Sequence, residues 1–229
     1  MSSDELDRFL ANARGTAATA KIYSLDELRE RRGDVAQASW GLAALRGRLV
    51  ELSARGATGT LTAAIELVAE AQEQSEPVLW LTLQSGTFYP PDVAQSGIDL
   101  EALVVVRCQD ATTAARSAER CLRSGAFGLV ILDLGHSESR RGDDRDLSMQ
   151  VQGRLVTLAQ THDAAVVCLT EKSEDTASLG SLVSLRAEAL RRREPPTSQF
   201  SVEVRVLKDK RRGPGFTKLL KRSGPAGLT

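Results

Sequence analysis

The sequence predicts a three-layer α/β domain, its mostly parallel sheet covered by helices on both faces and extended by antiparallel C-terminal strands. Three observations carry that expectation. From Leu45 onward, apolar runs of strand length at 49–52, 78–83, 103–106, 129–132 and 164–169 alternate with segments of helical pattern. The runs are continuously apolar, as strands buried on both faces of a parallel sheet must be. Beyond residue 180 the pattern changes: Val202, Val204 and Val206 alternate with Ser201, Glu203 and Arg205, which describes a strand with one wet face and hence an antiparallel neighbour.

Each element follows from local signals. Residues 1–40 read as an N-terminal helical arm: Ser2 with Glu5, and Ser24 with Glu27, have capping-box spacing, and 15–20 between them offers little to bury. The core is expected over 41–222. A strand at 48–53 runs through a small-residue turn into a helix at 60–74. A short helix follows Pro90-Pro91, and further helices fit 111–124 and 146–160. Segments 182–188 and 216–222 flank the alternating valine strand, with turns at Pro195-Pro196 and Gly213-Pro214-Gly215. Arg191-Arg192-Arg193, just before the prolines, reads as a solvated loop. Residues 223–229 form a flexible tail.

Composition narrows the class. With 229 residues, 41% hydrophobic and 26% charged, the chain suits one globular domain. No apolar run approaches the ~18 residues of a membrane span, and the acidic, polar N-terminus is no signal peptide, so a cytoplasmic protein without membrane association is expected. Cys108, Cys121 and Cys168 are odd in number and lie in apolar stretches, which fits reduced core cysteines. His136 and His162 lack companions at ligand spacing, so no metal is expected. The net charge of zero hides a gradient: residues 186–229 hold twelve Lys or Arg against four Asp or Glu. The C-terminal part is therefore suited to an acidic partner surface.

Chemistry is concentrated at 47–62. A strand, a small-residue turn and a helix are how P-loop proteins aim backbone N–H groups at phosphate, through G-x-x-x-x-G-K-[ST]. Gly56, Thr58 and Gly59 form the turn here, and Gly59 fits the second glycine. Thr60 stands where the lysine belongs, and Leu61, followed by Thr62, where the magnesium-binding hydroxyl belongs. The strand 129–132 ends in Asp133, a Walker B pattern. Two readings of Asp133 stand, a nucleotide-site carboxylate and a helix cap after a buried strand.

Taken in order, Gly47-Arg48-Leu49-Val50-Glu51-Leu52, Gly97-Ile98-Asp99-Leu100-Glu101-Ala102-Leu103, Arg123-Ser124-Gly125-Ala126-Phe127-Gly128-Leu129-Val130-Ile131-Leu132-Asp133 and Val206-Leu207-Lys208-Asp209-Lys210 resemble successive segments of the bacterial recombinase RecA. The resemblance covers about 41–215 and implies a RecA-like core. It also sharpens the departures. Gln84 falls where the family's water-activating glutamate would lie, and an amide is no general base. Glu171 replaces a nucleotide-sensing glutamine, and its carboxylate would repel a terminal phosphate. The two DNA-gripping loops are reduced to the mixed-charge 136–145 and the acidic 172–177, which suits a phosphate backbone poorly. No ATPase activity, catalytic residue or cofactor is expected.

Within the RecA-like superfamily the chain is most similar to the ImuA mutagenesis accessory proteins. That resemblance implies a non-catalytic scaffold of SOS-induced mutagenesis and translesion synthesis. Its implied partners are an ImuB-type polymerase relative lacking polymerase activity, RecA, and an error-prone replicative-type polymerase, with DNA contact weak. The alternatives are a nucleotide-binding RecA paralogue acting in recombination and a SulA-type cell-division inhibitor. By the same resemblance, the third strand (Leu103, Val104, Val105, Val106, Arg107) is a sheet edge that accepts a partner's arm, although these valines also read as plain core. Lys208, Lys210, Arg211 and Arg212 form a basic patch for a protein or DNA, or a charged strand end kept soluble.

Overall fold

Side-chain alternation along the strands sorts the apolar residues into two cores, one on each face of a single sheet. The structure is a computed structural model and describes residues 40–84, 86, 88–135, 147–193 and 199–223. The expected arm, the mixed-charge loop at 136–145, Pro195-Pro196 and the tail beyond Ser223 lie outside the described residues.

In chain order the elements are α1 (Leu42–Leu45), β1 (Arg48–Ser53), α2 (Thr60–Glu73), β2 (Val78–Leu83), α3 (Pro90–Gln95), β3 (Leu103–Cys108), α4 (Ala111–Arg123), β4 (Leu129–Asp133), α5 (Met149–Thr161), β5 (Ala165–Thr170), β6 (Leu185–Arg193), β7 (Gln199–Asp209) and β8 (Thr217–Ser223). Among the described residues, eight strands run β3-β2-β4-β5-β1-β6-β7-β8 across the sheet. Pairing is parallel from β3 to β6, then antiparallel through β7 and β8. The expected fold class is the one observed.

On one face Val50, Leu52, Trp80, Ile131 and Val167 pack under α2, whose small Ala63, Ala64 and Ala71 let it approach closely. On the other face Leu49, Leu81, Val130, Leu132 and Val166 meet Ala114, Ala118 and Leu122 of α4 and Leu155 and Ala159 of α5. The Asp110 side chain caps α4, accepting from the Thr113 N–H at 2.7 Å.

Two expectations change. Trp40, read as the end of the arm, is 2% exposed and packed in the α2-side core, because its indole is too apolar to leave in water. Arg191, Arg192 and Arg193 are not a solvated loop but the end of β6, paired with Val202, Ser201 and Phe200 of β7. Strand partners for these arginines explain the difference. The Arg191 guanidinium lies 4.3 Å over the Phe200 ring, and Arg192 pairs with Glu203 at 2.5 Å.

Candidate functional site

Parallel strands deliver their C-terminal ends to one rim of the sheet, where ligands of open α/β sheets bind. The loop 54–59 after β1, Gln84 after β2, Asp133 at the end of β4 and Glu171 after β5 all reach that rim. The sequence-predicted nucleotide-site residues therefore share one end of the fold.

The loop itself is bonded to its own protein. The Thr58 N–H donates to the Gly56 carbonyl at 2.8 Å and the Gly59 N–H to the Ala189 carbonyl of β6 at 2.9 Å, while the Arg191 N–H returns to the Ala57 carbonyl at 2.8 Å. Thr58 and Leu190 form an antiparallel bridge, so the loop lies alongside the C-terminal half of β6. The Thr60 N–H donates to Thr58 Oγ1 at 3.3 Å, and the two threonine hydroxyls lie 2.9 Å apart. A phosphate-binding loop needs these donors to converge on an anion. Here the donors of Thr58, Gly59 and Thr60 already have acceptors, and an anion would have to displace them.

Side chains around the loop reinforce that state. Thr60 is 9% exposed, Leu61 packs against the α2-side core and Thr62 is half-buried. Gly56 has φ +83°, a left-handed value that favours glycine. Gly59 is needed for closeness: a Cβ there would sit 2.5 Å from Val202 Cγ1. The Asp133 carboxylate is buried and accepts from the Thr82 hydroxyl at 3.0 Å, on the α2 side of the sheet. Gln84 is exposed, its N–H donating to the Cys108 carbonyl at 3.0 Å, and Glu171 is exposed just beyond β5.

Two buried ionic groups escaped sequence reasoning. Glu51 on β1 is fully buried and accepts from Thr170 Oγ1 (2.9 Å), Ser178 Oγ (2.7 Å) and the Leu179 N–H (2.8 Å). Lys172 Nζ and Arg186 Nε each stand 3.8 Å from its oxygens. The Arg186 guanidinium also donates to the Thr176 and Ser173 carbonyls at 2.5 and 2.7 Å. The segment 172–177, corresponding to the second DNA loop of the resemblance, and the residues just after it are thereby fastened to the sheet. The signal was a lone carboxylate inside the apolar run Leu49-Val50-Glu51-Leu52, which burial obliges to find partners.

The second group supports the basic patch. Arg48 and Asp209, with side chains 1% and 2% exposed, pair through Nη2 and Oδ1 at 2.5 Å, and Nη1 lies 3.4 Å from Oδ2. Burial pulls the Asp209 carboxyl up, but hydrogen bonds from Arg48 and from the Arg211 and Arg212 N–H groups outweigh it and hold it below the usual range. Asp209 thereby shapes the turn carrying the patch. Lys210 donates to the Ser181 carbonyl, and Arg211 to the Gly47 and Arg46 carbonyls at 3.1 and 3.4 Å. These carbonyls satisfy donors without neutralising charge. Lys208 is half-buried and sits opposite Arg186, while Arg212 is exposed.

Among the described residues, strand β3 is a sheet edge, paired only with β2. Val104 and Val105 are 47% and 36% exposed, Arg107 is exposed, Val106 is partly buried, and Leu103 is buried. Of the two readings of these valines, core burial holds for Val106 in part, and exposure for Val104 and Val105.

The order of strands, the two helical layers and the loop at the β1–α2 junction define a RecA-like core. The crystal structure of the RadB recombinase superposes with a TM-score of 0.57 at 16% identity, over 76% of this chain and 87% of that one. In sequence the chain is similar to RecA. It is 29% identical over 118 residues to the protein of Chlorobium chlorochromatii (50% of this chain, 33% of that one) and 30% over 119 residues to that of a Nocardioides species (50% and 33%). Against RecA of Bacillus subtilis it is 29% identical over 119 residues, 50% of this chain and 34% of that one. The chain thus spans about a third of the length of the curated relatives it matches. No family model matches the sequence.

Proposed function

We propose that this chain is a non-catalytic, RecA-like accessory protein that serves as a scaffold in SOS-induced mutagenesis, binding an ImuB-type polymerase relative during translesion synthesis. Similarity to RecA supports a role among proteins of DNA repair and recombination. The observation that carries the non-catalytic part is the self-bonded loop: the Thr58, Gly59 and Thr60 donors are engaged and Thr60 replaces the lysine. Phosphoryl transfer rests on charge placement, and a loop without lysine, beside Leu61 and Gln84, offers little. The scaffold part is supported by the β3 edge, which no described strand covers and which would accept an extended partner segment by strand addition, with Val104 and Val105 as its apolar contacts. RecA and an error-prone replicative-type polymerase are the further partners in this reading.

The test is paired. MgATP is titrated by calorimetry, and an ImuB-type protein is captured with and without nucleotide. ATP-independent capture, lost in Val105→Asp with the circular dichroism unchanged, supports the scaffold. Saturable ATP binding with DNA binding, and no capture, would instead favour a recombination paralogue.

A further inference from the structure

The turn after β7 and the residues before β1 meet at the end of the sheet opposite the phosphate loop, and they bring an excess of cations together. Arg46, Arg48, Lys210, Arg211 and Arg212 gather there around Glu76, Asp163 and Asp209. Two of these carboxylates are already engaged, Asp209 by buried Arg48 and Glu76 by Arg46 at 2.6 Å. Asp163 is 74% exposed and reaches Arg46 at 3.9 Å. The Lys210 and Arg211 side chains are bonded instead to carbonyls, of Ser181 and of Gly47 and Arg46, which use some of their donors and cancel none of their charge. Desolvation, together with the charges of Arg48 and Arg212, holds the Arg211 guanidinium below its ordinary value despite Asp209 and Asp163. We propose that Lys210, Arg211 and Arg212, with Arg46 beside them, form a docking surface for a short acidic stretch of a partner protein. The surface lies toward the other edge of the sheet from β3, so either can fail without the other.

The surroundings select the partner's chemistry. The planar fork of Arg211 suits a carboxylate or a phosphate. Glu76 and Asp163 stand among the cations, however, and a nucleic-acid backbone, charged at every nucleotide, would be driven against them. An acidic peptide can set neutral residues over Asp163 and carboxylates over Lys210 and Arg211. Among the described residues the only exposed aromatic ring, Tyr89, precedes α3 and not this turn, which leaves no stacking platform for a base here. The turn is also held ready. Asp209 Oδ1 accepts from the Arg211 and Arg212 N–H groups at 2.7 and 3.3 Å, the Lys210 N–H donates to the Ser184 carbonyl at 2.9 Å and the Gly213 N–H to the Asp209 carbonyl at 3.0 Å. A backbone fixed in this way has little entropy left to lose on binding.

Fluorescence anisotropy of a labelled polyglutamate peptide titrated with the full chain tests this, with oligothymidylate of matched charge as competitor. Saturable binding that weakens with salt is expected. Arg211→Ala/Arg212→Ala should raise the dissociation constant by about tenfold or more, whereas removing two exposed charges elsewhere, in Arg55→Ala/Lys221→Ala, should change it by less than about twofold. Arg212→Ala alone leaves the Arg211 contacts to the Gly47 and Arg46 carbonyls in place and should still weaken binding by about threefold. No polyglutamate binding at low salt, equal weakening by the two double variants with circular dichroism unchanged, or a preference for oligothymidylate would each overturn the proposal.

Discussion

Replacing Asp209 by Asn should destabilise the fold by about 3 kcal/mol, because it leaves the Arg48 guanidinium buried without its counter-ion. The geometry sets the size. Both side chains are almost fully buried, the pair is two-pronged, and Arg48 keeps only neutral acceptors, the Ala44 and Ser184 carbonyls and Ser184 Oγ. Breaking one member of such a pair costs about 3–5 kcal/mol, with the lower end expected where neutral acceptors remain. For a domain of this size the melting temperature should fall by about 6–12 °C. Urea unfolding followed by Trp40 and Trp80 fluorescence measures the change, since both indoles are buried. The double variant Arg48→Met/Asp209→Leu should recover most of the loss, because no unpaired charge remains. A pH series supplies the sign check. The Asp209 carboxyl titrates below its unfolded value of about 3.9, so its contribution is present above that pH and fades as pH falls through the folded value. Wild type should lose stability faster than Asp209→Asn in that acidic window. A loss below about 0.5 kcal/mol for Asp209→Asn, within the range of ordinary surface changes, would refute the reasoning.

Other perturbations follow from the same contacts. Gly59→Ala drives a methyl into Val202 and should cost about 1–3 kcal/mol in urea unfolding, with much of it recovered by Val202→Ala. Thr60→Lys should not create ATPase activity in a phosphate-release assay, because Leu61, Gln84 and the self-bonded loop are unchanged. Glu51→Gln should speed amide hydrogen exchange across 172–179, since Arg186 and Lys172 lose the carboxylate that holds the segment down. Burial raises the Cys108 and Cys168 thiols above their ordinary value, so iodoacetamide at neutral pH should alkylate the partly exposed Cys121 first, as read by mass spectrometry.

The parallel half of the fold was legible because burial on both faces leaves little choice of residue: β1, β2, β4 and β5 are buried along their whole length, and runs that are mostly apolar are the result. The end of β6 was not legible. Arg191-Arg192-Arg193 carries no apolar alternation, and its place in the sheet depends on partners distant in sequence, Phe200 and Glu203 on the next strand and Ala57 in the loop. The same limit applies to the candidate site. Spacing reveals which residues replace a lysine or a glutamate, but not that the Gly59 N–H is taken by Ala189, because a backbone acceptor has no sequence signature.

The charged residues inside apolar strands were the stronger unread signal. An ionised side chain can enter a buried strand only with partners, and so a lone Arg48 or Glu51 in an apolar run announces an ion pair somewhere in the chain. In this protein the two announce different things. Arg48 reaches forward to Asp209 and fixes the turn that presents Lys210, Arg211 and Arg212, while Glu51 gathers Thr170, Ser178, Lys172 and Arg186 and holds down the segment after β5. Neighbours on β1 point to opposite faces, but residues 48 and 51 differ by three and so also face apart. One strand therefore anchors two surface features on opposite sides of the sheet. Such rigidity favours binding at either surface, because a surface already held in place loses less conformational entropy when a partner binds.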